Sequence, residues 1–402
     1  MSRDLSEAGP TVRPMRYEVS KAISPLNGRT NLVVIDETFE LHPEASAYLS
    51  VLVDGRKRSM NTARAYAGRV AGFLSWADRH GIDWRTISLT QMTQFKRWLE
   101  ETPKTMTEPP RGVDRRLLEL RKGTTVGGHL TAVCGFLRFC ATQGWVEERV
   151  ADQLSEERIL HHTPPNYDPG EDGQWRKVRA RVLKVFEEEP EIVTLTDDQT
   201  CAVIDECAHA RDRFLVYGLR ATGLRISEQL GLRRSDMHLL PSSRHLGCKF
   251  DGAHIHVLRR EDNDNGALAK DRRGRPVPVE QEYVDLYRQY QYERDAVPQA
   301  RDRDLVFVNL FHAPLGRGMT YRSTKNLFER LSKRVGFTVK PHMFRHTFAT
   351  ALLADGVPVD VVQELLGHVA LSSTGVYLHP EAQAMRDAVQ GVFQYRSTAG
   401  AA

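Results

Sequence analysis

The feature that most constrains this chain is a break in its middle. Residues 155–190 contain HHTPPNYDPGEDG, whose prolines and glycines will not hold a helix. A basic run follows (Arg176, Lys177, Arg179, Arg181, Lys184), then an acidic one (Glu187, Glu188, Glu189, Pro190). Periodic apolar segments lie on both sides of the break, so the chain is expected to build separate cores joined by a linker. Length agrees, since 402 residues correspond to about 2.7 average domains. The expected organisation is an N-terminal tail over 1–40, a helical domain over 41–155, a linker over 156–190, a second domain over 191–380, and a terminal helix and tail over 381–402. The basic run is read either as a solvated helix face or as a surface for a polyanion backbone.

Residues 1–40 are polar and punctuated by proline, with no sustained period. Beyond them Tyr66, Val70, Phe73, Leu74 and Ala77 form one apolar stripe at helical spacing, with Asn61 or Thr62 suited to the N-cap. Thr90 can cap a second helix carrying Met92, Phe95, Trp98 and Leu99. A third, from Thr124 or Thr125, presents Leu130, Val133, Leu137 and Cys140. Each helix needs neighbours to cover its apolar face, which predicts a small helical bundle. Residues 102–116 read as a loop.

The second domain starts at Ile192. Thr196-Asp197-Asp198-Gln199 has capping-box form and opens a helix through Cys207. Another helix covers Arg213–Arg220, is broken at Gly223, and is followed by one from Ile226. Residues 254–259 and 275–279 alternate apolar and polar, giving two strands around a polar loop, 260–274. From Glu280 the pattern is helical again, apart from a strand-like piece at Leu305–Asn309. The fold class is therefore mainly α with a small β-sheet.

Composition narrows the partners. Lys+Arg 56 against Asp+Glu 52 leaves a net charge of +4, so any basic surface must be local. No apolar run approaches the roughly 18 residues of a membrane span, and MSRDLSEAGP does not open a signal peptide. Five cysteines (Cys134, Cys140, Cys201, Cys207, Cys248) are too scattered for a disulfide scaffold, and no CxxC pair points to a structural zinc. A reduced, cytoplasmic protein is expected.

Three clusters carry chemistry. In Ala221-Thr222-Gly223-Leu224-Arg225-Ile226-Ser227-Glu228, glycine turns the chain sharply and sets Arg225 at a helix start. There backbone N–H groups and a guanidinium can face one anion; alone, it is also an ordinary surface arginine. Lys270 stands in the loop between the two strands, within reach of a phosphate or a leaving oxygen, or simply solvated. In Pro341-His342-Met343-Phe344-Arg345-His346, His342 and Arg345 share a helical face. Leu366-Gly367-His368 follows, then Tyr377 nine residues later. His342 and His346 have the spacing of a zinc pair, but Met343 stands where a zincin needs glutamate, which argues against a His342–His346–His368 metal site.

Together these residues resemble the tyrosine recombinase (phage integrase) family. Its arginine after Thr-Gly-Leu, hairpin lysine, His-x-x-Arg-His box, Leu-Gly-His and tyrosine fall in order on Arg225, Lys270, His342 with Arg345, His368 and Tyr377. The resemblance spans about 41–390, because the N-terminal helices look like the family's core-binding domain. The loop LRREDNDNGALAKDRRGRPVPV looks most like the transposase A branch of site-specific transposons. The loop at 102–116, the linker and the acidic Glu261–Asp264 stretch are additions to the compact recombinase plan.

The resemblance implies a C-shaped clamp of two domains on double-stranded DNA, and strand exchange without metal, cofactor or ATP. Tyr377 would be the nucleophile that forms a 3′-phosphotyrosyl link. Arg225 and Arg345 would hold the phosphate, Lys270 would protonate the leaving 5′-oxygen, and His342 would take the tyrosine proton. His368 would bond a phosphate oxygen and Glu228 would support Arg225, with His346 structural. The stripe Met385, Val389, Val392 and Phe393 would dock in a neighbouring subunit of a tetramer, with accessory transposition proteins as further partners. Two rival readings share parts of this pattern: a monomeric type IB topoisomerase, and a DNA-binding regulator on an inactive catalytic fold.

Overall fold

The computed structural model describes residues 16–23, 28–103, 119–159, 177–186, 192–269 and 274–367. The chain divides into two compact units, residues 1–190 and 191–402.

The first unit opens with an antiparallel hairpin, β1 (Tyr17–Ile23) and β2 (Thr30–Asp36), in register from Tyr17↔Asp36 to Ile23↔Thr30. This corrects the expectation of a tail over 1–40. The hairpin is held by burial of Leu32, Val34 and Ile35, and by Ser75 Oγ, which accepts the Tyr17 N–H at 3.0 Å. Helices α1 (Pro43–Ser50), α2 (Met60–Arg79), α3 (Leu89–Glu101), α4 (Gly123–Thr142) and α5 (Glu148–Asp152) follow. The predicted stripes are the core: Val70, Phe73, Leu74, Ala77, Met92, Phe95, Leu99, Leu130, Val133, Leu137 and Cys140 are buried together. The caps lie earlier than expected. Ser59, extended at ψ 151, accepts the Thr62 N–H, and Ser88 forms a full capping box with Gln91 in place of Thr90. For α4 no side chain caps the start, which falls at Gly123.

The expected linker is in part structure of this unit. β3 (Ser155–Ile159) pairs antiparallel with β4 (Lys177–Arg181), Leu183 is buried in the same core, and Arg181 Nη1 donates to Gly127 O of α4 at 2.8 Å. The Pro/Gly-rich sequence that marked the break lies outside the described residues, as does most of the 102–116 loop. The basic run is therefore carried partly by a strand, not by a helix face.

The second unit contains α6 (Asp197–Asp205), α7 (Ala210–Thr222), α8 (Ile226–Leu230), β5 (Met237–His238), β6 (His254–Val257), β7 (Arg275–Pro278), α9 (Gln281–Asp295), α10 (Pro298–Arg301), α11 (Tyr321–Val335), α12 (Pro341–Ala354) and α13 (Val359–Leu366). Thr196 and Gln199 form the expected capping box. The sheet is antiparallel in the order β5-β6-β7; its edge strand β5 was not read in the sequence, being only two residues long. The piece at Leu305–Asn309 contributes isolated bridges, Arg233↔Leu305 and Val308↔Gly318. Phe214, Tyr283, Tyr290, Phe307 and Phe344 pack the core with Ile255 and Val257 from one face of β6. No described helix of either unit is long and apolar enough to cross a membrane.

Candidate active site

Helix α7 ends at Thr222 because Gly223 turns left-handed, with φ 60. A Cβ on Gly223 would run into the Phe348 ring of α12, so the turn needs glycine for both conformation and space. Two residues later Arg225 stands at the N-cap of α8. Its backbone N–H donates to Glu228 Oε2 at 3.0 Å and its Nη1 donates to Oε1 at 2.8 Å, while the guanidinium side chain keeps 24% exposure.

Glu228 is the hub of the site. Its side chain is fully buried, and Arg275 Nη2 of β7 donates to Oε2 at 3.0 Å. Arg345 Nη1 of α12 lies 4.0 Å from the same oxygen. Arg345 also crosslinks two turns, donating from Nη1 to Gly223 O and from Nη2 to Leu366 O, both at 2.8 Å. Arg275 Nε donates to Leu365 O at 3.0 Å, and Gly367, at φ 62, lies so close that a Cβ there would meet the Arg275 guanidinium. The turn before Arg225, the strand after the Lys270 loop, the His-x-x-Arg-His helix and the turn before His368 are thereby fastened around one carboxylate.

Among the described residues, Arg225, Arg275 and Arg345 face one glutamate, three guanidiniums around one carboxylate. Burial opposes ionisation of Glu228, but the guanidiniums of Arg275 and Arg225 outweigh it and hold the carboxyl below its ordinary range. A partly exposed arginine over a buried cluster of guanidiniums is a seat for an anion with oxygen acceptors.

His342 lies in the first turn of α12 with its residue exposed, and its ring meets His346 edge to face at 5.6 Å. Partial desolvation, reinforced by the Lys340 charge, pushes the His342 imidazole below its ordinary value, so it is a neutral proton acceptor at physiological pH. It borders a cleft of about 680 Å³ lined also by Tyr321, Phe328 and Val339. Lys270, His368, Tyr377 and the terminal stripe Met385, Val389, Val392 and Phe393 lie outside the described residues.

Arg275 is the residue that sequence reading missed. The signal was present: an arginine stands inside a strand pattern, RPVPV, at a position whose neighbours two along are apolar, and a charge in a buried strand needs a buried partner.

The first unit carries a separate concave basic patch. A hollow of about 430 Å³ is lined by Thr131, Cys134, Arg138, Arg179, Arg181 and Lys184 among others. Arg179 is also paired with Asp152 at 3.2 Å.

Comparison with known proteins adds the following. A model described as the phage integrase family matches residues 188–384, and one described as the phage integrase N-terminal SAM-like domain matches residues 45–144. Transposase A from transposon Tn554 of Staphylococcus aureus is 27% identical over 385 residues, covering 94% of this chain and 96% of that protein. The tyrosine recombinase XerD of Corynebacterium glutamicum is 27% identical over 357 residues, covering 86% and 96%. Among solved structures, the Tn1549 transposon integrase in complex with circular intermediate DNA superposes with a TM-score of 0.56 at 16% identity, covering 86% of this chain and 98% of that one. The XerH recombinase in a post-cleavage complex with a palindromic difH substrate gives 0.53 at 19% identity, covering 86% and 84%.

Proposed function

The chain belongs to the phage integrase family of tyrosine recombinases, on its transposase-like side, and from that premise we propose how its residues exchange DNA strands. It is a site-specific DNA recombinase. The observation that supports the assignment of residues is the gathering of three guanidiniums around Glu228 at the junction of the family's ordered motifs, where a phosphodiester's oxygens, and the extra negative charge they gain as phosphorus becomes five-coordinate, would find donors.

The Tyr377 oxygen attacks a DNA phosphorus, forming a P–O(Tyr) bond as the P–O5′ bond breaks. The tyrosine proton passes to neutral His342, and Lys270 gives a proton to the departing 5′-oxygen. Negative charge grows on the non-bridging oxygens as phosphorus becomes five-coordinate. Arg225 and Arg345 bind that charge, permanently protonated and with paired donors, while His368 adds a hydrogen bond. Glu228 acts as a positioning residue: it fixes Arg225 by two bonds and holds Arg275 beside it. A 5′-hydroxyl from a partner strand reverses the step. The phosphodiester energy stays in the tyrosyl link, so ATP is not consumed.

On this reading each unit binds the DNA duplex, in the cytoplasm, and the basic hollow at Arg138, Arg179, Arg181 and Lys184 holds its backbone. Each phosphate neutralised contributes about −0.9 to the slope of log K against log salt, so binding is expected to weaken steeply with salt despite the small net charge. Four copies assemble on paired sites through exchange of the Met385–Phe393 helix, with accessory transposition proteins selecting the target. The test of the chemistry is Tyr377→Phe on a suicide substrate. The variant is expected to bind its site as the wild type does and to form no covalent complex; covalent attachment by the variant would assign the nucleophile elsewhere.

A further inference from the structure

We propose that His238, Cys248, His254 and His256 form a closed four-ligand zinc site that staples the 239–253 loop to the outer face of the three-stranded sheet. One ligand atom from each of these residues falls within 4.8 Å of all the others. His254 Nε2 and His256 Nε2 are 3.1 Å apart, and Cys248 Sγ lies 3.2 Å from the first and 3.4 Å from the second. Zinc bonds of about 2.0–2.1 Å to nitrogen and 2.3 Å to sulfur require tetrahedral edges of roughly 3.3 Å between nitrogens and roughly 3.6 Å between nitrogen and sulfur. The observed edges are within a few tenths of an ångström of these.

The ligands are also oriented for a metal. A carbonyl oxygen only accepts, so His254 Nδ1 must carry the proton it gives to Gly252 O at 2.7 Å. The Nε2 lone pair of a neutral His254 then points into the cluster, which is how a backbone carbonyl sets the tautomer of a ligating histidine. His238, whose ring lies 4.5 Å from that of His256 and 5.0 Å from that of His254, has a buried Nδ1 without a hydrogen-bond partner among the described residues. One divalent ion satisfies all four donors together. Three imidazoles and a thiolate suit zinc, and four protein ligands leave no open position for catalysis.

The site has a structural reason to exist. Ile255 and Val257 face the core, so His254 and His256, alternate along the same strand, lie on its other face. The loop that covers them buries little apolar surface of its own, with Leu240 and Leu246 exposed. Its own regular structure is one short turn at Arg244–Leu246 and one bridge, Ser242↔Asp251, little for a connection of this length. Its Arg244–Asp251 ion pair is exposed and contributes little. Because β6 also pairs with β7, the staple braces the strand that carries Arg275. Sequence reading found no zinc signal because the ligands come as one histidine, one cysteine and a His-x-His, with no CxxC. The inference does not rest on the recombinase reading, since none of the four residues belongs to the Glu228 cluster.

The test is metal analysis of the full chain purified without chelators, beside Cys248→Ser and His256→Asn. The wild type is expected to hold about one zinc per chain after dialysis, and each variant well under half. Replacement by cobalt(II) should give the intense visible bands of a tetrahedral site with a thiolate-to-cobalt charge-transfer band, and Cys248→Ser should lose the latter. A strong chelator should lower the melting temperature of the wild type and leave that of Cys248→Ser unchanged. Failure of His256→Asn to fold would leave the cobalt spectrum of the wild type to decide. Wild-type zinc below about half per chain, a cobalt spectrum without the thiolate band, or full zinc retention by Cys248→Ser would overturn the proposal.

Discussion

The second unit holds two clusters of polar side chains that share one small sheet and differ in what they lack. Around Glu228, three guanidiniums meet one carboxylate, and the cluster is short of negative charge. Around Cys248, three imidazoles and a thiol bring lone pairs together, and that cluster is short of a cation. The first has a partly exposed member, Arg225, through which a ligand can reach it. The second is capped by a loop and has fully buried His254 at its base. On the proposed readings, the sign and access of the missing charge separate a site for passing substrate from a site for a resident ion.

Substitutions should keep the two clusters apart. The largest effect is expected from Glu228→Gln, which leaves three buried or half-buried guanidiniums without their counter-ion. Breaking such a pair costs about 3–5 kcal/mol, measurable by denaturant unfolding, and added sulfate should restore more stability to the variant than to the wild type. A loss within experimental error would mean that the arginines are compensated elsewhere. Arg345→Ala should follow, with cleavage of a suicide substrate falling by ~10²–10³, as for loss of comparable oxyanion donors. Its zinc content should match the wild type; a joint loss would show that the clusters are one structure.

A smaller effect concerns pH. The imidazole of His342 is held below its ordinary value of about 6.5, so the base form persists as pH falls through 6.5. The acid limb of the cleavage rate should lie below that pH and disappear in His342→Gln, whose residual rate should be flat there. A limb centred above 6.5 would contradict the desolvated, neutral imidazole. The smallest effect is expected from chelation on chemistry: protein that remains folded should cleave at its original rate, although its melting temperature has dropped.

Much of this was readable in the sequence where the signal is local. The stripes of α2, α3 and α4 repeat over several turns, and their apolar members are buried apart from Tyr66 and Trp98, which pack half-buried at the edge of the core. Caps were displaced by a residue or more because the cap is decided by one backbone angle, as at Ser59 and Ser88, which periodicity does not report. The β1–β2 hairpin was missed because β1 fully buries none of its side chains and β2 carries its apolar residues as one run, Leu32-Val33-Val34-Ile35, without the alternation that marks a half-buried strand. Arg225 and Arg345 stood out through the order of their motifs, and support of Arg225 by Glu228 was expected from the resemblance of the Thr-Gly-Leu-Arg segment. The attachment of Arg275 and Arg345 to the same carboxylate, by contrast, needs four segments brought together from 223 to 367. The zinc ligands fall in the same class. Their spacing matches no common pattern, and only the pairing of β5 with β6 and the return of the 239–253 loop bring them within reach of one another.

The central claim, that Tyr377 carries the DNA at an arginine-lined phosphate seat, is tested most directly by locating the covalent bond. A trapped protein–DNA complex digested with nuclease and trypsin should yield the peptide 346–386, in which Tyr377 is the one tyrosine, with a residual nucleotide attached to that side chain through a 3′-phosphate. A nucleotide found on any other residue, or attached through a 5′-phosphate, would contradict the account.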